Sequence, residues 1–186
     1  MIRYALPVIF LLGCSDSPPT TPETRPVENP NAGNTAIYDV DADDPYEIAD
    51  SSFLDLSPGM ALPQTESLRE AGVLTVGDQT FDRYFLTGRR QDTLAYLLVD
   101  RGDRFISAIH ITSSDVVTRD GLRVGNTYGE LVERLGKLPA PSTVAGRPVI
   151  KGPDWLSYQL GAYAPSASGA GVPAETPIEE IILIRQ

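Results

Sequence analysis

The stretch HITSSD places His110, Ser113, Ser114 and Asp115 within six residues, and these are the side-chain types a nucleophilic hydrolase assembles. Spacing along one strand defeats that chemistry. His110 and Ser114 share a face, but at roughly 3.3 Å per residue they stand about 13 Å apart, well beyond hydrogen-bond reach. His110, the one histidine of the chain, therefore reads as a half-buried sheet residue. A second cluster, Asp39, Asp41, Asp43, Asp44, Glu47 and Asp50, opens with the D-x-D-x-D phase of a calcium loop. An EF-hand-like loop starting at Asp39 requires glycine at its sixth position and glutamate at its twelfth. Asp44 and Asp50 stand there, so the run reads as a solvated acidic spacer. No metal, cofactor or catalytic residue is expected from these patterns, and any acid–base chemistry would fall to a carboxylate pair made by folding.

The single cysteine, Cys14, sits in LLGCS behind a basic Arg3 and an apolar run from Tyr4 to Leu12. That run is about half the roughly 20 residues a bilayer-spanning helix needs, so residues 1–13 read as a signal peptide that is removed. Leu11-Leu12-Gly13-Cys14 resembles the bacterial lipobox, with Leu11, Gly13 and Ser15 flanking the cleavage point. The resemblance implies acylation at Cys14, and at about 0.8 kcal/mol per buried CH₂ several acyl chains make a lasting anchor. Ser15 rather than aspartate implies the outer membrane, facing the periplasm or the cell surface. A lipidated Cys14 leaves the mature chain without a thiol or a disulfide.

Loss of Arg3 with the signal peptide takes Lys+Arg from 15 to 14 against 25 Asp+Glu, a mature charge of about −11. Such a surface repels nucleic acid and anionic lipid, so neither is an expected partner. Prolines at 18, 19, 22, 26 and 30 and a scarcity of large apolar residues make residues 14–52 a lipidated, disordered tether. Globular patterning starts near Phe53 and fills 53–186, enough for one domain.

Inside that domain two stretches look alike, about 55–115 and about 120–186. Gly59 aligns with Gly125, Tyr96 with Tyr158, and the apolar positions of RFISAIHI with those of PIEEIILI. Each unit is expected to open on a short helix, clearest where Thr127 and Glu130 make a T-x-x-E capping box and Gly136 and Pro139 stop the helix. TFDRYFLT, DTLAYLLV and RFISAIHI then predict an antiparallel meander whose corners are GRRQ and Arg101-Gly102-Asp103. Residues 161–177, GAYAPSASGAGVPAETP, read as a mobile loop. The expected fold is α+β: two tandem helix-plus-meander repeats in one domain, helices packed on a shared sheet.

A helix after G-x-T-x-x-E-L-x-x-x-L-G, followed by a meander and repeated, resembles the SmpA/BamE outer-membrane lipoproteins and the tandem-repeat β-lactamase-inhibitor proteins. The resemblance implies a sheet face that grips another protein without chemistry. The expected function is a non-enzymatic, lipid-anchored binding module for an envelope protein, with Tyr96, Trp155 and Tyr158 as the partner-binding aromatics. The alternatives are a cell-wall glycan hydrolase using paired carboxylates and a purely structural envelope spacer.

Overall fold

In a computed structural model of the chain, residues 46–49, 51–163 and 171–185 are described. Cys14, its flanks Leu11, Gly13 and Ser15, the tether up to residue 45 and the aspartates at 39–44 and 50 lie outside them. Among the described residues there are eleven strands and one helix. Eight strands form one antiparallel sheet in the order β3(Leu68–Val76), β4(Gln79–Thr87), β5(Thr93–Asp100), β6(Ile106–Ile111), β11(Ile178–Ile184), β10(Leu156–Leu160), β9(Arg147–Lys151) and β8(Ser142–Val144). A smaller sheet sets β1(Tyr46–Ala49) between β2(Ser52–Phe53) and, in parallel, β7(Val116–Thr118). The helix, α1, spans Tyr128–Leu135.

This architecture corrects the expected α+β fold of helix-plus-meander repeats. Its described residues are mostly β, and the first repeat, about 55–115, has no helix. The physical reason lies in the segment before β3. Ala61 and Thr127 bridge to Phe105 and Pro177 respectively, so they hold corresponding places. Thr127 accepts from the backbone N–H of Glu130, and Glu130 reaches back to the N–H of Thr127, a complete capping box. Ala61 has no side-chain oxygen to do the same, and Pro63 follows. The chain instead reaches β3 by residue 68 and spends its residues on a nine-residue strand.

What does repeat is the strand pattern. The sheet order is palindromic, β3-β4-β5-β6 against β8-β9-β10-β11, and the two meanders meet where His110 pairs with Ile182. Backbone bonds match as well. Gly59 N donates to Ile106 O and Ile106 N to Met60 O; Gly125 N donates to Ile178 O and Ile178 N to Asn126 O. Gly59 (φ 90°) and Gly125 (φ 96°) both occupy the left-handed region that glycine alone enters cheaply. Each meander also carries a bulge at the same place, skipping Ser107 in β6 and Glu179 in β11.

One face of the large sheet is the core. Leu97, Ile109, Ile111, Leu156, Tyr158 and Leu183 pack there against Tyr46 and Ile48 of β1, Phe53 of β2, Val116 of β7 and Leu131 of α1. Residues 46–49, expected as part of the tether, stand in a packed strand, because Tyr46 and Ile48 alternate inward along β1. The Arg101-Gly102-Asp103 segment is the hairpin corner its composition predicts, with Arg104 N bonded back to Asp100 O. Of the loop at 161–177, Ala174 O and Thr176 O accept the backbone N–H groups of Gly129 and Tyr128, tying its described end to the start of α1.

Candidate functional site: a histidine cluster at an apolar groove

The opposite face of the large sheet carries no covering element among the described residues. The sheet curls about it, and the resulting groove of about 540 Å³ draws lining residues from β3 at one end to β8 at the other. Phe81, Leu98, Ala108, Val149, Ile182 and Ile184 give it an apolar floor. Leu98, Ala108 and Ile182 are buried there although no layer lies over them, because the curl brings the flanking strands around them. The volume lies in the range of small-molecule and peptide side-chain pockets, and apolar walls with few polar points are what such pockets have.

Among its polar lining residues, His110 is the one held in a side-chain cluster. Strand alternation puts His110 on the groove face, opposite Tyr96 on β5 and diagonal to Glu180 on β11. Tyr96 stacks on the imidazole, with centroids 4.5 Å apart and planes 12° from parallel. His110 Nδ1 lies 2.8 Å from Glu180 Oε2, and the Tyr96 hydroxyl donates to the same oxygen at 3.0 Å. Tyr96 Oη is also 3.0 Å from His110 Nδ1. Burial pushes the Glu180 carboxyl pKa up, but the hydrogen bond and charge of His110, with Tyr96 and Arg147 behind them, outweigh burial and hold it below the ordinary carboxylate value. Burial and the adjacent Glu180 charge push the Tyr96 phenol well above its usual range, so it stays a donor.

Ser107, skipped by the bulge in β6, also lines the groove, and its hydroxyl is buried without a hydrogen-bond partner. A second cleft of about 610 Å³ lies between α1 and the β9–β10 turn. Its lining is charged, with Arg119, Asp120, Lys137 and Asp154 among them, and Arg134 is engaged by the carbonyls of Asp120 and Gly121.

The sequence-expected residues part company here. Tyr96 stands in the cluster. Tyr158 is fully buried in the core, where a partner cannot reach it. Trp155 lies in the turn before β10, half-buried, with its carbonyl bonded to Ile184 N, away from the cluster residues. Tyr96 and Tyr158 were aligned by sequence, but the ladders pair Leu97 with Ile109 and Tyr158 with Ile181. Tyr158 therefore corresponds to Leu97, and Tyr96 to Ser157; a one-residue shift puts the two rings on opposite faces. Ser113, Ser114 and Asp115 stay in the turn after β6, where Asp115 N bonds to Ser113 Oγ and Ser114 O accepts from Arg123. Glu180 escaped sequence reasoning because its neighbour His110 lies 70 residues away in the chain. The only available signal was a charged residue in IEEIILI, an otherwise apolar strand.

No protein-family model matches the chain, and no curated protein matches it. Among solved structures the chain is similar to the crystal structure of the uncharacterized protein yfeY from Escherichia coli. The match has 20% sequence identity, covers 63% of this chain and 81% of that one, and has a TM-score of 0.44.

Proposed function

We propose that the protein is a non-catalytic lipoprotein of the bacterial outer membrane, anchored through Cys14, that grips an envelope protein with the groove face of its large sheet. The observation that carries this reading is the groove itself: Phe81, Leu98, Ala108 and Ile182 form an apolar strip with nothing laid over it among the described residues. A concave, mostly apolar groove with a few polar groups is the usual form of a binding site. Around the His110 cluster the hydrogen bonds join imidazole, phenol and carboxylate, and the phenol, the one hydroxyl nucleophile among them, is held protonated by burial and the Glu180 charge. The binding residues in this reading are those of the groove, with Tyr96 beneath them, in place of Trp155 and Tyr158.

A photoreactive residue placed at Phe81 or at Ile184 should trap the partner in the native envelope, whereas one at the exposed Val132 of α1 should not. Leu98→Asp should abolish the trapped species while Cys14 remains acylated. Equal trapping from Phe81 and Val132 would remove the groove from the mechanism and favour a spacer. Loss of cell-wall turnover with no trapped protein would favour the hydrolase.

A further inference from the structure

We propose that the cleft between the end of α1 and the β9–β10 turn is a second binding site, which takes a phosphate monoester carried on an apolar body. The site does not depend on the groove, and its chemistry follows from the cations that the fold gathers there.

The chain holds thirteen arginines and two lysines, and both lysines, Lys137 and Lys151, line this one cleft. They arrive from separate elements: Lys137 follows the glycine stop of α1, and Lys151 ends β9. A cation at a helix C-terminus answers the helix dipole, which accounts for Lys137 alone but not for Lys151. Among the described residues neither ammonium has a hydrogen-bond or ion-pair partner, so both are open to a ligand. Arg119 and Arg134 line the same cleft and have partners within the protein, Arg134 in the carbonyls of Asp120 and Gly121.

The lining charges are Arg119, Arg134, Lys137 and Lys151 against Asp120 and Asp154, so 4 − 2 leaves +2 in a chain whose formal charge is −10. At physiological salt the acids elsewhere on the surface are screened beyond about 8 Å, and the local excess decides what enters. An entering cation meets repulsion, whereas a phosphate monoester, at about −1.5 to −2 near pH 7, matches the excess. The open cations are ammoniums, point charges on flexible stems that adapt to tetrahedral phosphate oxygens.

Ile48, Leu135, Leu138 and Leu156 supply apolar lining, and the volume of about 610 Å³ is that of a site for a small organic molecule rather than a bare ion. The phosphate therefore comes attached to an apolar body.

The test uses the full-length chain labelled at lysine, with octyl phosphate, inorganic phosphate and octyltrimethylammonium as probes. Lys137 lines the cleft alone, whereas Lys151 lines both cleft and groove, so an occupant of the cleft moves both signals and an occupant of the groove moves Lys151 only. Octyl phosphate should shift both saturably and at least about tenfold more tightly than inorganic phosphate, and octyltrimethylammonium should leave Lys137 unmoved. Lys137→Met removes the ammonium and keeps an apolar stem; it should weaken octyl phosphate at least about tenfold at Lys151 with the melting temperature unchanged. Shifts at Lys151 alone, an equal response of Lys137 to octyltrimethylammonium, or undiminished binding by Lys137→Met would overturn the proposal. Inorganic phosphate binding as tightly as octyl phosphate would overturn its apolar half. The Cys14→Ser chain, whose anchor cannot insert, separates two sources of the phosphate. Its capture by phosphatidic acid vesicles, lost on adding Lys137→Met, supports the site and assigns the ligand to a membrane lipid; octyl phosphate binding without vesicle capture supports it and assigns a soluble ester. Trapping from Phe81 should be unaffected by Lys137→Met, so failure of the cleft and failure of the groove are told apart.

Discussion

The offset that carries Ile106 onto Ile178, 178 − 106 = 72, lays β6 on β11, and on the groove face it sets Ala108 against Glu180 and His110 against Ile182. Ladder partners extend the comparison, setting Tyr96 of β5 against Ser157 of β10. Glycine turns, bulges and hydrogen bonds coincide in the two halves, yet the three members of the polar cluster stand where the halves differ in side chain. On the core face the same mapping gives Leu97 against Tyr158 and Ile109 against Ile181, apolar for apolar. Packing holds the core face of both halves to one chemistry. The groove face is free of that demand, and it is there that one half supplies tyrosine and histidine and the other glutamate.

The comparison breaks most visibly if the core-face equivalence is wrong. Tyr158→Ala and Leu97→Ala should each cost about 2 to 5 kcal/mol in denaturant unfolding, as large-to-small changes in packed cores do. Tyr96→Ala should cost clearly less, since the ring is stacked at the groove rather than enclosed. Equal losses at Tyr96 and Tyr158 would place both rings in the core.

Gly152→Ala sharpens the same point from the backbone. A Cβ there would stand 2.5 Å from Cε2 of Tyr158, and that ring is fully buried and cannot swing away. A destabilisation of about 1 to 3 kcal/mol is expected from such overpacking, read as a lower denaturation midpoint with an unchanged slope. Gly102→Ala in the first half meets nothing within 4 Å and should be nearly silent.

The helix that one half has and the other lacks gives a smaller effect. Thr127→Ala removes the cap oxygen that Glu130 N uses and should cost about 1 kcal/mol. The reciprocal Ala61→Thr should add no helix signal in far-ultraviolet circular dichroism, because Pro63 and the direct run into β3 remain.

The pH dependence of the cluster is the mildest test. Glu180 is held below its ordinary pKa when folded, so it binds a proton more readily unfolded. Its contribution is fully present above the unfolded carboxyl value, 4.5, and is lost as pH falls through the lower folded value. The stability difference between the native chain and Glu180→Gln should therefore be level from pH 7 to about 5 and shrink below that. A difference that grows on acidification would mean that burial, not His110, governs the carboxyl.

Local signals in the sequence determined the capped helix at 128–135, its glycine stop, the meander β4-β5-β6 and the hairpin at 101–103, because each depends on a few adjacent residues. They did not determine that LSPGMALPQTESL lacks a helix, since a short apolar-and-polar run fits helix and extended chain alike until its cap is examined. Nor did they determine which face Tyr158 takes: strand period is two, so one residue of misalignment inverts a side chain, and the bulges that set register arise from pairing between strands. Tertiary structure alone brought Glu180 to His110, 70 residues apart, because a carboxylate gains a partner only where two strands are laid side by side. It also decided that one sheet face is packed and the other curls into a groove, since the order of strands, which no local pattern encodes, fixes which apolar residues find a layer to cover them.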